Sequence, residues 1–169
     1  RVFVIRKVPT KPGKYPALPR VPGAGVRPYG GDAGVSAKGV ILLEIGIHGV
    51  PVINPQSYYD QLYSAALTDY WTNGCNNRDR SYYKHVVTGC IRSIDFIESL
   101  DTKGVQWDKK NLAVTGSSQG GFLSLATTAL DKRVSCYGAV HAAMCDHEAS
   151  LSKVACGWPN LWYGNHQPV

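Results

Sequence analysis

Six consecutive residues, Gly116-Ser117-Ser118-Gln119-Gly120-Gly121, leave this chain few ways to fold. The short apolar run Leu112-Ala113-Val114-Thr115 precedes them, and a helical stretch from Phe122 to Leu130 follows. A strand that turns at once into a helix through Gly-x-Ser-x-Gly brings two backbones into contact, and a side chain at Gly116 or Gly120 would collide. The same tight turn exposes the hydroxyl of the central serine at the top of a sheet. Ser118 is therefore the candidate nucleophile, and acyl transfer the candidate chemistry. With 18 glycines in the chain the bare pattern arises easily by chance. The flanking strand and helix, with Gly121 where the helix must pass close to the sheet, give it meaning.

The rest of the chain supplies a sheet for that turn. Val2 to Val8 reads as a strand, Lys11-Pro12-Gly13-Lys14 as a turn, and Tyr15 to Val21 as the returning strand. Pro16 and Pro19 each remove a ladder donor, which predicts an irregular strand or one near an edge. A glycine-rich loop follows, Pro22-Gly23-Ala24-Gly25. Val40-Ile41-Leu42-Leu43 is a continuous apolar run, the pattern of a parallel strand covered on both faces. From Tyr82 to Leu100, Val87, Cys90, Ile91, Ile94 and Ile97 recur at helical spacing. Residues 108–111 read as the turn into the strand before Ser118, and Val134 to Val140 as one more strand. Strands alternating with helices predict βαβ units, and so an α/β fold with a mostly parallel sheet and helices on both faces. With the serine turn added, the expected arrangement is that of an α/β-hydrolase.

Composition narrows the partners. A chain of 169 residues with 44% hydrophobic and 18% charged residues is expected to form one globular domain. The net charge of +6 comes from scattered lysines and arginines, without the basic stripe of a nucleic-acid surface. No apolar run approaches the ~20 residues of a membrane span. The opening Arg1-Val2-Phe3-Val4-Ile5 does not read as a signal peptide, so secreted, periplasmic and cytoplasmic locations all stay open. The five cysteines, at 75, 90, 136, 145 and 156, lack C-x-x-C spacing, so no metal site is expected. No cofactor is expected either.

Several stretches together carry a resemblance. They are Arg80-Ser81-Tyr82-Tyr83-Lys84, Cys90-Ile91-Arg92-Ser93-Ile94-Asp95-Phe96, and Asn111 through Gly121, with Gln119 beside the serine as the most distinctive. Weaker matches run through Arg20-Val21-Pro22-Gly23-Ala24-Gly25 and Leu43-Glu44-Ile45-Gly46-Ile47-His48-Gly49. The chain resembles the acetyl xylan esterase and cephalosporin C deacetylase family of α/β-hydrolases. That resemblance implies deacetylation of sugars through an acetyl-Ser118 intermediate. It also implies an oxyanion hole made by the backbone N–H groups of Gln119 and, by position, Ala24. Gly46-Ile47-His48 stands where the family shows an Arg-Gly-Gln motif. In this fold the triad runs Ser, Asp or Glu, then His. Only residues 119–169 follow Ser118, so the strands bearing acid and base are expected beyond Val140. Residues 1–169 thus read as a single truncated domain, with a Tyr-rich insertion at 50–81. Its expected partners are an acetylated carbohydrate and either the remainder of the same domain or further copies in an oligomer.

Other groups compete for roles. His141 and His147, with Asp146 beside the latter, follow the strand after the serine, on the side where loops face such a site. His141 is a candidate pocket residue, and so is His48, which a structural hydrogen bond would also explain. His85 reads as packing, His166 as a terminal residue, and Asp95 and Glu98 as the solvated side of their helix. Tyr59, Leu62, Tyr63, Ala66, Leu67 and Tyr70 are spaced for one helix face. They suit packing or an oligomer contact, while the aromatic rings of the insertion also suit stacking on sugars. Trp107, Trp158 and Trp162 follow no pattern. A serine peptidase of the prolyl oligopeptidase type and a non-catalytic carbohydrate-binding or scaffold protein are the alternative functions.

Overall fold

Apolar alternation in β2 (Gly13–Val21) and β4 (Val105–Ser117), and a continuous apolar run in β3 (Ile41–Gly46), build the centre of one sheet. With β1 (Phe3–Lys7) and β5 (Cys136–Val140) at the edges, the order is β1-β3-β2-β4-β5. β3, β2, β4 and β5 run parallel, and β1 pairs antiparallel with β3. The structure is a computed structural model and describes residues 1–152 and 157–159. Cys156, Trp162 and His166 lie outside the described residues.

The helices are α1 (Ala33–Ala37), α2 (Gln56–Tyr63), α3 (Tyr82–Glu98) and α4 (Gln119–Leu130), with short 3-10 turns at Tyr70–Thr72 and His147–Ser152. Ala17, Val21, Ile41, Leu43, Ile45, Leu112 and Val114 share one sheet face. They meet Val86, Cys90, Ile94 and Ile97 of α3 and Leu123 of α4 in the main core. Each fully buried Ile or Leu there contributes about 1.5–3 kcal/mol. Burial pushes the Cys90 thiol up to about 12. Adjacent strand residues point oppositely, so Arg20 and Glu44 lie on the other face. There they pair at 3.1 Å, and Arg20 also reaches Asp32, the N-cap of α1, at 3.5 Å. Helices therefore flank both faces of the mostly parallel sheet. None among the described residues is long and apolar enough to cross a membrane.

Four expectations change: where the turn at 108–111 lies, the form of the insertion, the partners of Asp95 and Glu98, and the place of His85. β2 is irregular, as its prolines predict, yet it is central: β3 lies on one side and β4 on the other. Register with β4 jumps from Tyr15↔Trp107 to Ala17↔Leu112, so residues 108–111 loop out opposite Pro16. Asp108 Oδ1 holds that loop, accepting the N–H groups of Lys110 at 2.9 Å and Asn111 at 2.8 Å, while Lys109 takes φ +61°. Pro16, which has no N–H to give, sits where its partner strand turns away. The expected turn thus lies inside β4 rather than ahead of it.

The insertion is not one continuous helix face. α2 ends at Tyr63, Asp69 adopts a left-handed φ of +45°, and Tyr70 opens a separate 3-10 turn. Tyr59 and Tyr70 still converge with Val26 in a second, smaller core, whereas Tyr63 is exposed. Asp95 and Glu98 are not merely solvated either. Arg133 pairs with both at 2.8 Å and with Asp131 at 2.6 Å, fastening the end of α3 to the exit of α4. His85 does not pack; it stands on the exposed side of α3.

Candidate active site

Ser118 occupies a turn that only the surrounding backbone can maintain. Its φ of 57° and ψ of −122° lie outside the ordinary regions, a strain of about 1–3 kcal/mol that must be over-determined by neighbours. Its N–H donates to Val140 at 2.9 Å, and its C=O accepts from Gly121 at 2.9 Å and Ala143 at 3.0 Å. The glycines permit this closeness. A Cβ on Gly116 would lie 2.5 Å from the Val21 carbonyl oxygen, and one on Gly120 would strike the same atom. β4 ends at Ser117 and α4 begins at Gln119, so the serine stands half-buried between strand and helix N-terminus.

Residues 22–26 carry the chain from β2 over this turn. A Cβ on Gly23 would come within 3.8 Å of Ser118 Cβ, so the loop passes about one methyl group away from the serine side chain. The Ala24 C=O accepts from Arg27 Nη1 at 2.7 Å, and the Gly25 N–H of the same peptide unit donates to the Tyr70 hydroxyl at 3.2 Å. On the other side, the Pro22 C=O meets Gln119 Nε2 at 3.5 Å. Peptides on both sides of the Ala24 N–H are thereby held.

The Gln119 side chain is the junction of that network. It is wholly buried, and its Oε1 accepts from Tyr70 at 2.8 Å and Tyr83 at 2.9 Å. Two donors satisfy both lone pairs of that oxygen; leaving such a group unpaired costs about 1–3 kcal/mol. Burial pushes the hydroxyls of Tyr70, Tyr82 and Tyr83 up, so they stay protonated and able to donate.

His48 joins the same loop. Its Nε2 lies 2.9 Å from the Gly25 carbonyl and its Nδ1 2.6 Å from the Tyr82 hydroxyl. A carbonyl can only accept, so Nε2 carries the proton and Nδ1 accepts from Tyr82. Burial holds the imidazole below its ordinary value; the Gly25 carbonyl opposes that and the Arg27 charge reinforces it. With both nitrogens engaged, His48 braces the loop. His141 follows β5 directly, exposed and with φ +44°, beside Val140, whose carbonyl binds the serine N–H. His147 opens the second 3-10 turn. Among the described residues no hydrogen bond links the Ser118 hydroxyl to any histidine or acid. No cluster there is arranged to hold a metal ion, and no disulfide joins Cys75, Cys90, Cys136 and Cys145.

Arg27, and the hydroxyl roles of Tyr70, Tyr82 and Tyr83, escaped sequence reasoning. The available signal was a glutamine in the first turn of an apolar helix, whose buried amide demands polar partners.

A serine on a positive-φ turn between a parallel strand and a helix defines the α/β-hydrolase class. Residues 35–155 match the family described as Acetyl xylan esterase (AXE1), and the chain belongs to that family. It is 39% identical over 161 residues to acetyl esterase Axe7A of Xylanibacter ruminicola, a match spanning 90% of this chain and 35% of that protein. An acetyl xylan esterase from Paenibacillus sp. R4 matches with a TM-score of 0.68 and 28% identity, over 91% of this chain and 49% of that one. Two others share the fold. One is acetyl xylan esterase 1 from Thermoanaerobacterium sp. JW/SL YS485, with TM-score 0.62 and 20% identity over 89% of this chain and 46% of that one. The other is the acylaminoacyl peptidase of Pyrococcus horikoshii, with TM-score 0.51 and 13% identity over 83% of this chain and 21% of that one. The chain spans about a third of the curated relative and about half of the esterase structures it matches.

Proposed function

We propose that this chain is the nucleophile-bearing part of a carbohydrate esterase that removes acetyl groups from xylan or acetylated sugars. The Ser118 Oγ attacks the acetyl carbonyl carbon, and its proton passes to the triad base. The resulting oxyanion is held by the N–H groups of Gln119 and Ala24. The sugar oxygen then leaves with that proton, giving acetyl-Ser118, and water attacks the ester to release acetate and restore the hydroxyl. The observation that carries this reading is Ser118 on its strained turn, capped by the loop around Ala24. The N-terminus of α4 adds favourable dipoles at the site of developing negative charge. Losing one oxyanion donor typically costs about 3–4 kcal/mol of transition-state stabilisation.

Acid and histidine are supplied, on this reading, by the remainder of the same α/β-hydrolase domain, within which residues 50–81 form an insertion. The partial span of the relatives supports that. His48 supports the loop rather than accepting the serine proton, since both its nitrogens are bonded. The full-length protein should release acetate from acetylated xylo-oligosaccharides and take up one fluorophosphonate adduct at Ser118. Acetate release no greater than that of a Ser118→Ala control would reject the proposal.

A further inference from the structure

Beside the Ala24 loop, on its flank toward the insertion, lies a cavity of about 350 Å³ lined by Ala24, Gly25, Asp60, Tyr63, Trp71 and Trp158. That volume falls within the range of small-molecule sites, ~300–1,000 Å³. Three separate segments build it: the loop after β2, the insertion, and the described segment 157–159. Trp71 and Trp158 meet edge to face with centroids 5.2 Å apart, and Trp71 is braced in turn against Tyr70 at 5.2 Å. Trp158 is fixed by its own backbone, whose C=O accepts from Met144 N–H at 2.6 Å. Both indoles are only half-buried. Asp60 and Tyr63, three apart on α2, lie on one side of that helix. Asp60 Oδ1 accepts from Gln56 at 2.9 Å, and its second oxygen has no hydrogen bond among the described residues.

Fixed aromatic rings beside a carboxylate suit one ligand chemistry. A pyranose presents a face of weakly polarised C–H groups that packs on the electron-rich face of an indole, while its equatorial hydroxyls point outward as donors. Asp60 is placed to accept from them. We infer that this cavity is a sugar-binding subsite, taking a xylose-type ring of the substrate next to the acetylated one. The inference rests on the proposed esterase reading, and it explains why Trp71 and Trp158, far apart in sequence, are brought together alongside Ala24.

The test uses the full-length protein with two esters, acetylated xylotriose and p-nitrophenyl acetate, which offers no sugar. Trp71→Ala should lower the ratio of kcat/KM for the sugar ester to that for the phenyl ester by about five- to ten-fold, the scale of one aromatic contact. Asp60→Asn, an exposed change that spares the packing, should lower the ratio two- to three-fold, roughly one weak hydrogen bond. An unchanged ratio in both variants overturns the subsite. A separate titration follows tryptophan fluorescence of the Ser118→Ala protein with unacetylated xylotriose: saturable quenching that Trp71→Ala removes supports the subsite, and no saturable change overturns it. If the wild-type protein hydrolyses neither ester, the esterase proposal fails while this titration still decides the subsite.

Discussion

The serine turn and the insertion that braces it are built in opposite ways. The turn is held by backbone alone: glycines at 116 and 120 let β2, β4 and α4 touch, and the serine's own peptide groups bond Val140, Gly121 and Ala143. Among the described residues the insertion reaches the site through side chains, the Tyr70 hydroxyl on Gln119 and on the Gly25 N–H. Backbone contacts of the first kind tolerate no added atom. Side-chain contacts of the second kind can be trimmed one group at a time, and so they should fail gradually.

Measurements on the full-length protein can break or sharpen that contrast. The largest effect belongs to the hydroxyl the turn presents. Ser118→Ala should lower kcat for acetate release by more than about a thousand-fold while leaving the unfolding midpoint within a degree or two; a residual rate near wild type would remove Ser118 as nucleophile. Next comes the turn itself. Gly120→Ala drives a methyl group into the Val21 carbonyl and should destabilise the protein by about 3 kcal/mol or more, read as a lower urea midpoint. A midpoint unchanged from wild type would show that the close approach is dispensable.

Smaller changes are expected from the brace. Tyr70→Phe frees the Gly25 N–H and one lone pair of Gln119, and should lower kcat roughly ten-fold with a loss of about 1–3 kcal/mol in stability. Should kcat stay put while stability falls, Tyr70 would be a packing residue without influence on the Ala24 loop. The smallest effect is one of pH. Because the fold holds His48 below its usual value of 6.5, the unfolded chain takes up the proton first as pH falls. The stability due to neutral His48 is complete above about pH 6.5 and is lost as pH drops from there through the folded value. His48→Gln should flatten the fall of the urea midpoint below pH 6.5, and parallel profiles for the two proteins would contradict the role.

The same contrast explains what could be read in advance. The serine turn was legible because its determinants are contiguous, from Leu112 to Gly121, and strand, glycine and helix signals agree there. The main core was legible for a similar reason, since Val86, Cys90, Ile94 and Ile97 repeat at the helical period. The brace was not, because Tyr70 and Gln119 are 49 residues apart and a tyrosine carries the same apolar spacing whether or not its hydroxyl is used. Of the two readings its prolines allowed, β2 shows the irregular strand rather than the edge strand. A proline argues for an edge strand only if the partner strand stays alongside, and nothing local to Pro16 announces that residues 108–111 swing away.

Gln119 Oε1 receives hydroxyls from two elements that share no secondary structure, Tyr70 in the insertion and Tyr83 in α3. Such an atom works as a two-input junction: either input alone keeps the amide partly satisfied, and only the loss of both strands it without a donor. The insertion can therefore vary in length and packing as long as it still delivers the Tyr70 hydroxyl, which also holds the Gly25 N–H. Such tolerance would let the segment beside the serine turn be remodelled without dismantling the turn.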